Sequence, residues 1–476
     1  MSNGFINRNQ RHIIERIIVK GTLVLDTPTC LGSGDADGAT DLILLRDSKE
    51  DKALLMGSSI AGALRNYLRE YRNGYGAIEE SLLFGGLRSD EEGEQSPLIV
   101  NDALSRENIK VELRDSVKIN SVTRTAEPGP KYDLELLEAG TKFDLYFELL
   151  IDAENNKEQL VRELAIALQG LERGEISIGT KKRRGFGRAH VEEWQVWEFD
   201  MTNPNKRLQW LTLDRDWAKS YAELPNIGKS IETALKVQLD AKDKRDRLFI
   251  TATFTLATPL LIRSGQASSD KSPDVVHLKS RRNGELKPVI SGTSLAGVLR
   301  HRAERIINTI NKNPCIVEDI FGSDLGKDKN QQAKASRLIV NESVIKETTD
   351  LVQNRIAIDR FTGGALHGAL FNEQPVFACD QTEFDLEIEL RNPKDNEIGL
   401  LLLLLKDLWT GDLPVGGTSS IGRGRLQGKH ATITLRREQQ DKISTISQST
   451  PNESLVLINT ESLEKFVAAL YEEVIE

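Results

Sequence analysis

Hydrophobic and polar residues alternate strictly from Ile250 to Leu256, where Ile250, Ala252, Phe254 and Leu256 are separated by Thr251, Thr253 and Thr255. Alternation puts every second side chain on one face, so the segment predicts a strand buried on one side. Phe143 to Leu149 and Phe384 to Leu390 alternate in the same way. Leu160 to Leu171 and Ile398 to Trp409 are apolar runs of helical length, and each is followed by a glycine-rich loop. Near the end, Leu463, Phe466, Val467, Leu470, Tyr471 and Val474 share one face of a helix. That stripe reads as packing, against its own domain or a neighbour.

The pattern occurs twice. Gly57-Ser58-Ser59-Ile60-Ala61-Gly62-Ala63-Leu64-Arg65 aligns with Gly292-Thr293-Ser294-Leu295-Ala296-Gly297-Val298-Leu299-Arg300, with six identities in nine at an offset of 235. Thr27-Pro28 matches Thr258-Pro259, Phe84-Gly85 matches Phe321-Gly322, and Leu98 to Asn101 matches Leu338 to Asn341. Phe143-Asp144-Leu145 then matches Phe384-Asp385-Leu386, and Gly185-x-Gly187-Arg188 matches Gly422-x-Gly424-Arg425. Offsets drift only from 231 to 241, so the chain is a tandem duplication of whole domains. The expected units are residues 1–199, a partly helical linker 200–246, residues 247–435, and a polar tail 436–476 with a terminal amphipathic helix. The βαβ-type order within each half predicts an α+β, ferredoxin-like domain.

The 476 residues carry 63 Lys and Arg against 72 Asp and Glu, a net charge of −9, which rules out a basic nucleic-acid coat. The longest apolar run, Leu400 to Leu405, falls far short of the ~18 residues of a membrane span. Cys30, Cys315 and Cys379 form no CxxC pair, which argues against a disulfide framework or structural zinc. With a polar N-terminus, these features predict a cytoplasmic protein.

Against the acidic average, Lys181, Lys182, Arg183, Arg184 and Arg188 crowd into the first glycine-rich loop, and Arg423 and Arg425 into the second. Glycine lets backbone N–H groups approach a phosphate, and Arg or Lys supplies charge-assisted contacts. The alternative is a solvated turn. Gly228-Lys229-Ser230 has Glu223 where a Walker loop needs its first glycine, so that pattern fails. A second candidate is the Asp-bearing loop after the first strand of each half: Asp35, Asp37, Asp41 and Asp47, then Asp270 and Asp274. Carboxylates there could hold a hard cation or orient a hydroxyl, or simply form turns. Ala39 and Arg46 fall where EF-hand ligands belong. No histidine pair has metal-binding spacing, and Ser59 and Ser294 are not in a nucleophile elbow; helix capping or RNA contact fits Ser58, Ser59 and Ser294 better.

This ordered set of motifs, present twice, resembles the RAMP superfamily of CRISPR proteins, and specifically the tandem-fused backbone subunit of type III-D-like effector complexes. Thr125-Ala126-Glu127-Pro128-Gly129-Pro130 to Leu145, and Arg355 to Thr362, are similar to the family's thumb regions. The resemblance implies two RRM-like (ferredoxin-like) domains with inserted thumb hairpins, guide RNA and complementary target RNA as ligands, and other backbone subunits plus a large subunit as partners. It implies no membrane. The family pattern of Gly-x-x-Asp before an apolar run lands on Gly38 to Asp47 and makes Asp41 the leading catalytic and metal-holding residue. In the second half Asp274 takes that place, with Asp270 as its rival.

The chemistry implied is attack of the target's 2′-hydroxyl on the adjacent phosphate, assisted by Mg²⁺ or another divalent ion. Arg65, Arg300, Ser58, Ser59, Ser294 and the two glycine-rich loops would then contact guide RNA. Two other readings stay open: a guide-binding scaffold without chemistry, and a metal-independent guide-processing endoribonuclease.

Overall fold

The computed structural model describes residues 12–32, 43–75, 82–86, 95–120, 123, 125–153, 156–212, 225–239, 242–264, 273–323, 333–450 and 452–472. The first repeat runs β1 (Ile13–Leu25), α1 (Gly57–Asn73), β2 (Leu98–Val100), β3 (Val111–Ile119), β4 (Ala126–Leu137), β5 (Lys142–Asp152), α2 (Lys157–Glu172) and β6 (Ala189–Asp200). Helix α3 (Pro204–Leu211), strand β7 (Asn226–Gly228) and a short α4 (Ile231–Leu235) follow. The sheet order is β2-β5-β1-β6-β7, antiparallel throughout. Strand β7 therefore attaches the segment after residue 200 to the first sheet.

Alternation along β1 explains the layering. Ile17, Val19, Leu23 and Leu25 are buried on the helix side with residues of α1 and α2. Burying an aromatic or aliphatic side chain of this size contributes about 1.5–3 kcal/mol, so Phe143, Phe147 and Trp194 anchor this layer. Gly21 is required in β1, because a Cβ there would lie 2.7 Å from the Trp194 ring.

The second repeat runs β8 (Arg247–Leu256), β9 (Val275–Val276), β10 (Lys279–Arg282), β11 (Glu285–Ile290), α5 (Gly292–Thr309), α6 (Cys315–Phe321) and β12 (Leu338–Val340). It continues through β13 (Ser343–Val344), β14 (Lys346–Asp350), β15 (Gln353–Ile358), β16 (Ala365–Gln374), β17 (Val376–Arg391) and α7 (Asp395–Trp409). It closes with β18 (Leu426–Arg437), β19 (Gln440–Ser447), β20 (Val456–Ile458) and α8 (Glu461–Glu472). Its sheet order is β12-β17-β8-β18-β19-β20, the same topology with a different edge.

The expected α+β, ferredoxin-like repeats are present. In each, a hairpin is inserted before the third strand of the sheet: β3–β4 in the first repeat and β15–β16 in the second. Parallel pairing of Val275 with Glu373 ties the base of the second thumb to β9. The terminal helix α8 packs on α7 so closely that a Cβ on Gly399 would lie 2.2 Å from the Phe466 carbonyl oxygen. Leu470 is fully buried there while Tyr471 is exposed, so the stripe packs on its own repeat. Among the described residues no helix is long and apolar enough to cross a membrane.

Candidate nucleic-acid interface

The two glycine-rich loops fold identically in outline. Lys182–Arg184 and Ser419–Ile421 each form one 3-10 turn. Each turn begins from a left-handed residue, Lys181 (φ 54°) or Thr418 (φ 59°), and ends in a left-handed glycine, Gly185 (φ 82°) or Gly422 (φ 85°). Two residues on, Gly187 and Gly424 are again left-handed, and a Cβ there would lie 1.8 Å from the Ile178 oxygen and 1.9 Å from the Val415 oxygen. Side chains are sterically excluded at both, which is why Gly-x-Gly recurs.

The surroundings of the two loops differ. The first loop sits in the joint between the repeats: a Cβ on Gly185 would meet the Glu342 amide nitrogen at 2.5 Å, and one on Gly292 would meet the Arg184 oxygen at 2.3 Å. Gly422 has no such neighbour. Arg188 pairs with Glu387 across the joint at 2.6 Å, and Glu70 pairs with Arg391 at 3.3 Å. Between the repeats lies a cleft of about 710 Å³, lined among others by Ser58, Ser59, Lys182, Arg183, Arg247 and Arg391.

Positive charge in this cleft is incompletely compensated. Solvent reaches Lys182, but the concave walls surround it, so desolvation first, then Arg183 and Arg391, hold its pKa below the ordinary lysine value. Arg183 is shifted downward by burial and by Arg391, and Arg184 by burial and by Arg300. Neither Lys182 nor Arg183 forms an ion pair among the described residues. The buried Nη1 of Arg184 and the Nε atoms of Arg247 and Arg391 lack hydrogen-bond partners. Lys182, Arg183 and Arg391, set close together along the cleft, favour an anion.

The other candidate residues divide by place. Ser58 and Ser59 are exposed in the first turn of α1. They do not cap it, because Met56 holds the cap position and the Gly57 N–H instead donates to Asp102 Oδ1 at 2.6 Å. In α5 the cap is Ser291, whose Oγ accepts from the Ser294 N–H at 3.2 Å. Arg65 and Arg300 do matching work: each donates to the carbonyl of the downstream Phe-Gly turn, Gly85 at 3.0 Å and Gly322 at 3.1 Å. Lys181 lies over the Tyr132 ring at 3.8 Å, bracing the first thumb. Arg423 is buried and bound to Glu373 at 2.9 Å and Gln353 at 2.6 Å, bracing the second thumb. Arg425 is exposed.

Asp274 is exposed at the base of the second thumb, where its Oδ2 accepts the Asn372 N–H at 2.8 Å. Asp41 and Asp270 lie outside the described residues. Among the described residues no three His, Cys, Asp or Glu side chains converge as a metal site would require. Arg247, Arg391 and Glu387 were missed by the motif reading, because their role arises from contact between repeats rather than from a recurring pattern.

A sequence model of the RAMP superfamily matches residues 22–190 and 253–427, together more than two thirds of the chain. No curated protein matches it.

Proposed function

The chain belongs to the RAMP superfamily, whose members bind RNA and take part in multi-subunit CRISPR complexes, and we propose that it is a guide-binding backbone subunit of a type III-like effector complex. The observation that carries this reading is the inter-repeat cleft, where Lys182 and Arg183 form no ion pair among the described residues and lie beside the exposed Ser58 and Ser59. An RNA phosphate chain supplies the missing negative charge, and the left-handed glycines keep the loop backbone bare enough to approach it. Complementary target RNA, further RAMP subunits and a large subunit complete the assembly.

Target cleavage is the finer part of the proposal. Asp274 beside the second thumb supports it, since a carboxylate there is placed to orient a 2′-hydroxyl where a hairpin interrupts base stacking. Asp41 takes the same role in the first repeat. Among the described residues no group of three or more His, Cys, Asp or Glu side chains could hold a metal, and a divalent requirement is a property to be measured.

The test is cleavage of end-labelled complementary RNA by the assembled complex, with and without Mg²⁺, for the wild type, Asp41→Ala, Asp274→Ala and the double variant. Loss of one product per single substitution supports two cleaving sites. Persistence of every product in the double variant, with target still bound, leaves a guide-binding scaffold. Failure of the chain to bind guide RNA overturns the proposal as a whole.

A further inference from the structure

The joint between the repeats is heterologous: the loop side of the first repeat packs on the open sheet face of the second. A joint of that kind can in principle continue with further copies in both directions. The two outer ends of this chain, however, are not equivalent.

On the second repeat, the receiving face presents Arg247, Phe249, Glu387 and Arg391 to the first repeat. Phe249 lines the cleft, Arg247 lies 3.5 Å from Glu175, Glu387 takes Arg188, and Arg391 takes Glu70. The repeat alignment and strand registers place Arg16, Ile18, Tyr146 and Leu150 at the equivalent positions of the first repeat. There the picture changes. Ile18 is fully buried with Trp197 and Phe199, and Trp210 of α3 together with Met201 packs against this cluster. The Arg16 guanidinium lies 4.1 Å from the Trp210 ring centroid and pairs with Glu148, so it is already engaged. Tyr146 and Leu150 replace the two charged residues that accept ion pairs. The second repeat passes from β18 directly into β19 with no counterpart of α3.

We propose that α3 is an end cap: it occupies the first repeat's sheet face in place of a preceding RAMP domain, so the chain joins like domains only through its second-repeat loop, around Ser420 and Ile421. The capped face is thus a terminus of the row, as capping units are in other repeat assemblies. This rests on the multi-subunit reading above, but the test uses RNA-free protein, so it stands or falls separately from guide binding.

The test is oxidative cross-linking and sedimentation of the full chain with Cys315→Ser and Cys379→Ser as background, carrying Ser420→Cys and Ile99→Cys. These positions are the counterparts of Arg183 and Ile339, which line the existing joint. With α3 intact, no inter-chain cross-link is expected and the mass is that of one chain. Replacing residues 204–211 by a Gly-Ser linker, with Tyr146→Glu and Leu150→Arg, should give concentration-dependent oligomers and at least a tenfold rise in cross-linked product. Tyr146→Glu with Leu150→Arg and α3 retained should stay monomeric, with circular dichroism verifying the fold of every variant. Cross-linking of the α3-intact chain, or a folded uncapped variant that remains a monomer, overturns the proposal.

Discussion

Arg114 in the first thumb and Glu342 in the second repeat form a buried two-pronged ion pair, with Nη1 at 2.9 Å and Nη2 at 3.3 Å from the carboxylate oxygens. Glu112 flanks Arg114, and Arg282 flanks Glu342, so four charges alternate across the joint. Burial opposes charge on both partners. The mutual attraction outweighs it, holding Arg114 above and Glu342 below their ordinary pKa values.

Removing one partner leaves the other with a single flanking charge, Arg282 for Glu342 and Glu112 for Arg114. Arg114→Ala or Glu342→Ala should each be destabilising, short of the ~3–5 kcal/mol of a wholly unpaired buried charge, read as a lowered midpoint in denaturant unfolding. Arg114→Met with Glu342→Leu should cost less than either single change, because the two most buried charges go together while Glu112 and Arg282 keep their hydrogen bonds to Ser280.

Under the proposed function, the cleft cations set RNA affinity. Lys182→Ala or Arg183→Ala should weaken guide binding at physiological salt and lower the slope of log affinity against log salt by about one each. Arg423→Ala should act differently, since Arg423 is spent on Glu373 and Gln353; it should loosen the second thumb with little change in that slope. Fluorescence anisotropy across a salt series separates the two outcomes.

The paired glycines differ in what a methyl group would meet. Gly187→Ala and Gly424→Ala drive a Cβ into a carbonyl oxygen and should lower soluble yield sharply. Gly422→Ala meets nothing within 4 Å, so only its left-handed backbone is strained, at a cost of about 1 kcal/mol. Thermal melts of the three variants test the ranking.

His277 gives the second repeat an acid sensitivity. Its Nδ1 accepts the Ile262 N–H at 3.1 Å and its Nε2–H donates to the Val289 carbonyl at 3.0 Å, so the neutral ring is the one that fits. Burial pushes its pKa down to about 4, whereas in the unfolded chain it titrates near 6.5. The unfolded state therefore binds the extra proton first. Stability from this group should decline as pH falls from about 6.5 and level off below about 4. His277→Gln should flatten that part of a stability-against-pH curve, and NMR should find the native ring neutral down to about pH 4.

The duplication and the sheet strands were legible because each rests on local periodicity or on a motif that recurs in order, whereas the inserted hairpins were implied only by the family resemblance. Gly187 and Gly424 were legible for the same reason, since one steric conflict repeats in both halves. Of the two roles open to Ser58 and Ser59, capping is excluded, because Asp102, more than 40 residues downstream, reaches the helix start instead. Arg65 and Arg300 recur for a local reason too, the carbonyls of Gly85 and Gly322, a contact visible only once helix and turn are brought together.

The sequence by itself determined what short-range physics controls: two ferredoxin-like units, their order, the bare glycine loops, and a local excess of positive charge in an acidic chain. Only the tertiary structure decided which of those charges find an ion-pair partner. Arg188 and Arg423 are neutralised by Glu387 and Glu373, whereas Lys182 and Arg183 face Arg391 across the cleft. It also decided that the two ends differ, because α3 folds back over Ile18 and Arg16. Charge compensation and surface burial depend on which distant residues meet, and that is fixed by packing rather than by any pattern along the chain.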